Sequence, residues 1–490
     1  MFSSKRSSII FVFIAFLLML SCAAFFVIRG IEYYDEGYIL YSAQRINQGE
    51  IPYRDFHFAY TPGSIFLTSF AFKIFGESIL SERLMAFFIS FLTLALLFFI
   101  TRKISGNKLL LLIPALVYLF WGVAHINFVW PVMLAIFSGV LNCFLLLEGQ
   151  AKRKNVYFLL AGSSVVVTAL FKQNFGIALL VSNFLGYLFL KEFKDTKRVF
   201  YYLLGFAGAL SLFLFYLLLS RSFIQFIDDF ITYTIDRIII EGTLNTQFIY
   251  GDSLVNKIIK TLLFLSPFLM ASFSFFLSLK NKKPYIIIGG FSGLYYLFGI
   301  RPTVDYNHLV PLLAISGIPL VISIRLIKKK FIKFVLYILA FFLIILGLHT
   351  ALFKGYYRWE APIIENNFFA NNPKLLIWLD KGRYEGVQKL SLYIKKRTRE
   401  NEYIYVNYYA PLIYFLSERR NATKFALHPS NKSMQSYQRE VVSNLQSKQV
   451  KLLVTHISNQ SENTIVGKFI NKYYRPIQII DDFVVWYRVE

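Results

Sequence analysis

Eleven apolar runs of roughly 15 to 23 residues follow one another along the chain, at 8–28, 84–100, 109–123, 128–147, 156–171, 175–190, 199–219, 258–279, 285–300, 306–324 and 331–353. A bilayer core is crossed by about 20 apolar residues in helical form, and an open chain can satisfy its backbone groups there only as helices. The succession dictates an α-helical polytopic membrane protein. Four runs (109–123, 156–171, 175–190 and 285–300) are short, so the expected number of transmembrane helices is about 11. Composition agrees, since 56% hydrophobic residues, 18% aromatics and a mean hydropathy of +0.52 exceed what a soluble domain carries.

The net charge of +24 would point to nucleic acid in a soluble protein, but here much of the basic excess is arranged by loop. With Lys5 and Arg6 inside, every second loop is basic: Arg102, Lys103 and Lys108; Lys152, Arg153 and Lys154; then the clusters at 191–198, 280–283 and 325–333. Basic loops stay on the cytoplasmic side. The pattern predicts a cytoplasmic N-terminus, a retained first helix, and an extracytoplasmic position for the first loop, 29–83, and for the tail after residue 353. Cys22 and Cys143 lie inside apolar runs and form no disulfide framework. No nucleic-acid partner is expected; the bilayer is.

Three domains are expected: a membrane domain over 1–353, a linker over 354–383 and a soluble α/β domain over 384–490. In the tail, 384–396, 410–416, 435–446 and 464–473 read as helices. The runs 402–406 and 451–455 read as strands, and 476–480 with 483–489 as a hairpin. No phosphate loop, metal-spaced His/Cys set or nucleophile elbow occurs there, so the chemistry is expected elsewhere. Two segments, 64–75 and 223–240, are apolar or amphipathic but unsuited to spanning, and are expected as interfacial helices. Asp228 and Asp229 in the second are expected on an exposed helix face.

The chemistry is expected in the loop RGIEYYDEGYILYSAQRINQGEIPYRDFHFAYTPG, residues 29–63. Asp35 and Glu36 follow the first span closely, where carboxylates need a reason. They either supply a general base to an acceptor hydroxyl or amine, or merely cap an interfacial helix or pair with Arg29 or Arg45. Arg54 and Asp55 read first as a structural pair, with Asp55 and His57 as second-choice titratable groups; Tyr60 begins the Y-T-P-G turn. Further on, Lys172 between two spans and Arg301 in RPTVDYNH either bind phosphate or snorkel from helix ends, and His308 of the same knot is a candidate phosphate donor.

The outward Asp-Glu, G-E-I-P-Y-R-D-F, Y-T-P-G, Glu82-Arg83, Lys172-Gln173 and the Arg301-to-His308 knot together resemble the GT-C membrane glycosyltransferases. The similarity is to bacterial relatives of protein O-mannosyltransferase (family 39) and of the lipid A aminoarabinose transferase (family 83), and is strongest over 32–83. It implies the GT-C fold, a bacterial plasma membrane and a polyprenyl-phosphate sugar donor, with a hexose or pentose passing to a lipid, glycan or protein acceptor on the outer face. Asp35 would be the catalytic acid/base residue, with Glu36 beside it. Lys172, Arg301 and His308 would hold the donor phosphate, while Arg54, Asp55, His57 and Tyr60 would shape the loop or bind the acceptor. No cofactor is implied, and the sequence does not support a metal site. A flippase or scaffold of envelope glycan assembly is the rival reading. A phosphoryl-transferring enzyme would need a metal constellation and a nucleophilic Ser or Thr in the soluble part, which the sequence lacks.

Overall fold

The computed structural model describes residues 5–190, 195–229, 253–299, 306–353, 362–426, 435–458 and 464–489. The chain forms two compact units. One comprises Met1–Ile28, Arg83–Tyr216 and Glu241–Tyr356; the other comprises Arg29–Glu82, Leu217–Ile240 and Tyr357–Glu490.

Each of the eleven apolar runs is helical over most of its described residues, the run 306–324 being divided between two helices. Among the described residues, Ile79–Ile104, Pro131–Lys152, Thr196–Leu219, Asn256–Lys280, His308–Leu326 and Lys330–Phe353 are long and apolar enough to cross a bilayer. Phe13–Val27, Lys108–Val123, Asn155–Phe171, Gln173–Phe189 and Ile286–Gly299 are apolar but shorter. Lipid gives helices little hydrophobic reason to associate, so close packing and interhelical hydrogen bonds must hold them. Both are present. A side chain at Gly162 would strike the Tyr202 carbonyl, and one at Gly205 the Leu159 carbonyl, so the two backbones touch. Asn142 donates to the Ala161 carbonyl at 2.7 Å and to Ser164 Oγ at 3.0 Å, and Asn183 donates to Asn142 Oδ1 at 3.1 Å. Trp121 Nε1 donates to the Leu343 carbonyl at 2.8 Å, with His125 stacked on its ring. The fully buried Arg83 donates to the Val27 carbonyl at 3.0 Å, and Asn127 to the Phe26 carbonyl at 2.9 Å. These side chains satisfy carbonyls that the end of the first helix leaves without an intrahelical partner.

The second unit is built on a five-stranded sheet of order β4-β3-β5-β7-β6, with β3 (Tyr403–Val406), β4 (Arg420–Asn421), β5 (Leu452–His456), β6 (Tyr474–Ile480) and β7 (Phe483–Arg488). The strand β3 runs parallel to β4 and β5, and β7 runs antiparallel to β5 and β6. Helices Lys381–Arg397, Leu412–Ser417, Gln435–Ser447 and Ile465–Tyr473 accompany it, and Tyr405, Phe425, Val441, Leu445, Leu453 and Ile470 form one buried cluster. A small ribbon, β1 (Phe368–Phe369) with β2 (Trp378–Leu379), precedes the sheet.

The first loop packs into this same unit. Its helix Asp35–Asn47 is buried from Glu36 to Arg45, and Gly37 lies so close to Leu412 that no side chain fits between them. Tyr41 stacks on Tyr414 at 4.8 Å, and its hydroxyl accepts the Asn421 N–H at 2.8 Å. The next helix, Gly63–Phe75, stacks Phe72 on Phe415 at 5.8 Å and leaves Phe70, Ile74 and Phe75 exposed. At the loop's start, Gly30 N–H donates to the Trp378 carbonyl at 2.9 Å, and the Arg29 guanidinium lies 5.4 Å from the Trp378 ring centroid.

Candidate active site

Tyr34 precedes the helix Asp35–Asn47 and offers no capping side chain, so the first N–H groups need an acceptor from elsewhere. Glu32 provides it. Its carboxylate accepts the N–H groups of Tyr34 at 2.9 Å, of Asp35, and of Glu36 at 3.1 Å. In return Glu36 Oε2 accepts the Glu32 N–H at 3.1 Å. This is a reciprocal cap of the capping-box kind, made by two glutamates. Glu32 and Glu36 are both buried, whereas Asp35, the first helical residue, is half-buried. The adjacent acids therefore differ in kind: Glu36 belongs to the cap, and Asp35 retains access to solvent. Glu32 was not singled out from sequence; an acid three and four residues before an Asp-Glu pair is the signal that marks it.

Beyond that helix the loop is held by charge. Arg45 Nε donates to Glu50 at 2.6 Å and Nη2 to the Asp55 carbonyl at 3.1 Å, with its guanidinium 4.8 Å from the Phe56 ring centroid. Arg54 and Asp55 form an ion pair at 2.9 Å, and Asp55 Oδ2 also accepts the Ile51 N–H at 2.8 Å. The hydrogen bond from Arg54 holds the Asp55 carboxyl below its ordinary value, helped by Ile51 and opposed by partial burial. His57 Nδ1 lies 2.9 Å from Asp229 Oδ1, both side chains being buried, and the Phe58 N–H donates to Asp229 Oδ2 at 3.3 Å. Asp229 thus departs from the exposed face expected of it, because it lies against the loop's His57 ring and accepts the Phe58 N–H; Asp228 is exposed. Tyr60 accepts at its carbonyl from the Tyr53 hydroxyl at 2.7 Å, and its side chain is half-buried.

Lys172 and His308 belong to the helical unit. Lys172 joins Asn155–Phe171 to Gln173–Phe189 in an extended conformation, its ammonium 5.5 Å from the Phe175 ring centroid. His308 is half-buried in the helix Tyr306–Ile315. Arg301 lies outside the described residues. Among the described residues no group of three or more His, Cys, Asp or Glu is placed to hold a metal ion.

With six helices among the described residues long and apolar enough to cross a bilayer, the protein is an integral membrane protein, and its fold is the GT-C fold. Among solved structures it is similar to ArnT from Cupriavidus metallidurans bound to undecaprenyl phosphate, with a TM-score of 0.59 at 12% identity over 99% of each chain. The apo state of the same protein gives 0.56 at 11% identity, again over 99% of each chain. No family model matches the chain, and no curated protein sequence matches it.

Proposed function

We propose that the protein is a glycosyltransferase that moves a sugar from a polyprenyl-phosphate donor to an acceptor on the outer face of a bacterial plasma membrane. The observation that carries this reading is the reciprocal cap, which commits Glu36 to structure and leaves Asp35 half-buried at the first position of its helix. The positive end of the peptide dipoles favours a carboxylate there, the form that takes a proton. The likeness of the fold to an undecaprenyl-phosphate-bound structure supports the donor class.

The acceptor oxygen or nitrogen forms its bond to the anomeric carbon as the bond from that carbon to the phosphate oxygen breaks, which inverts the anomeric centre. The acceptor's proton passes to Asp35, and the electron pair of the breaking bond leaves on the polyprenyl phosphate. Lys172, Arg301 and His308 supply positive or donor groups for that leaving phosphate, an electrostatic contribution that grows as charge develops. Arg54, Asp55, His57 and Tyr60 hold the loop that carries Asp35. The alternating basic loops support a position for the first loop on the outer face.

The test is transfer in vitro by purified protein from a panel of polyprenyl-phosphate sugars, read by mass spectrometry of the product. Asp35→Asn should lower the rate at least a hundredfold, the range of a lost general base, with insertion and melting temperature unchanged. Full activity in that variant would overturn the assignment.

A further inference from the structure

A cavity of about 300 Å³ lies wholly within the second unit. Its walls come from the start of the first loop, the segment after β3, the last residue of β5 and the turn between β6 and β7. It thus sits at the carboxyl ends of two parallel strands, the place where α/β sheets collect their ligands. Its volume is at the low end of small-molecule sites.

One wall is aromatic and packed in advance. Tyr408 stacks on His456 at 4.4 Å with 13° between planes, and Phe483 stands edge-on to His456 at 5.5 Å and 87°. Tyr33 lies 5.9 Å from Phe483. The opposite character comes from Asp481 and Asp482, adjacent in the turn, and from Asp380, with Arg383 as the guanidinium that lines the cavity among the described residues. Asp481 adopts φ 53°, a left-handed conformation that glycine would take with less strain. Burial, then repulsion from Asp482, pushes the Asp481 carboxyl above its ordinary value in spite of Arg383. His456 is pushed below its ordinary value by burial, and its Nδ1 accepts the Ser458 N–H at 3.1 Å, so the neutral ring carries its proton on Nε2. The cavity therefore offers a flat apolar face, carboxylate acceptors and N–H donors, with acid in excess of base.

We propose that this cavity binds a saccharide unit of the acceptor, uncharged or bearing an amino group, with hydroxyls or ammonium on Asp481 and Asp482 and a ring face on Tyr408 and Phe483. Carbohydrate rings present C–H groups on their faces and hydroxyls on their edges, the complement of this lining. Excess carboxylate repels uronic acids and phosphates. Tyr33, in the cavity wall, stands two residues before Asp35, so their Cα atoms are at most about 7 Å apart. The inference rests on the glycosyltransferase reading for its biological sense, but not for its test.

The test is direct binding to the full-length protein in detergent, read by saturation-transfer NMR with cellobiose, glucosamine and glucuronate as probes. Cellobiose and glucosamine should bind and glucuronate should not. Asp481→Asn with Asp482→Asn should weaken glucosamine about tenfold while leaving the melting temperature and cellobiose binding in place; Tyr408→Ala should remove both, and Tyr408→Phe should restore them. Binding of glucuronate equal to that of glucosamine, no binding of any probe, or binding indifferent to all of these variants would overturn the proposal. Asp35→Asn should bind saccharide normally. If it still transfers sugar while the cavity variants lose binding, the assignment of Asp35 falls and the cavity stands; if it is inactive and no probe binds, the reverse holds.

Discussion

Two adjacent acids of similar chemistry meet different fates because of a third acid earlier in the chain. Glu32 takes three N–H groups at the start of the first-loop helix, and Glu36 returns the favour to Glu32. Glu32→Ala should cost about 2–4 kcal/mol, the penalty for leaving buried donors without acceptors, seen as a lower melting temperature in detergent. Glu36→Gln should keep most transfer activity, since an amide oxygen still accepts the Glu32 N–H, in contrast to Asp35→Asn. The sequence marked the Asp-Glu pair as the loop's expected chemical centre, and both residues fall in the first turn of the first-loop helix. The division of labour between the two was not legible there, because it depends on which backbone amides the turn at Tyr33 and Tyr34 exposes. The pH dependence is also set by single residues. Burial opposes the charge of Glu418, but Lys395 and Lys374 outweigh it and hold its carboxyl below the ordinary 4.5, as Arg54 holds Asp55 below 3.8. Stability from both is present at neutral pH and is lost as pH falls through those lowered values. Asp481 has the opposite sign, so its protonation favours the folded form. Glu418→Gln should therefore flatten the loss of melting temperature below about pH 4.5, the ordinary value.

At the scale of elements, period and punctuation identified most of what folds. The strands β3 and β5 and the β6–β7 hairpin lie where alternating or continuous apolar residues placed them, and the Ile465–Tyr473 helix follows the Thr464 cap, whose side chain accepts the Gly467 N–H. The two-residue β4 was missed, for its pairing depends on β3 rather than on any pattern of its own. Asp229 was misjudged for a related reason: period alone put it on a polar face, whereas His57 and the Phe58 N–H, far away in sequence, bring it inside. Asp229→Ala should destabilise the second unit by about 1–3 kcal/mol through the loss of a buried acceptor. Hydrogen exchange should then quicken at Phe58 more than in the sheet. Tyr41→Phe, which removes the acceptor of the Asn421 N–H but keeps the stacking on Tyr414, should cost about 1 kcal/mol.

For the whole molecule, the eleven apolar runs made the helical unit legible, since the length and hydropathy of a span are local properties. The composition of the second unit was not local. It is assembled from Arg29–Glu82, Leu217–Ile240 and Tyr357–Glu490, and nothing in the apolar pattern links the first loop to the tail. A chain cut after residue 353 should still insert its helices but lose transfer, and limited proteolysis should cleave it within 29–82, where the full protein resists. Intact protease resistance in the truncated protein would show that the loop folds without the tail. The order of synthesis gives this arrangement a further meaning. The loop bearing Asp35 leaves the ribosome early, yet the surfaces that bury Gly37 and Tyr41, on Leu412 and Tyr414, are translated hundreds of residues later. Until those arrive the loop has no finished partner, so a prematurely terminated chain would sit in the membrane with its first loop unassembled, and completion of translation itself becomes the step that finishes the second unit.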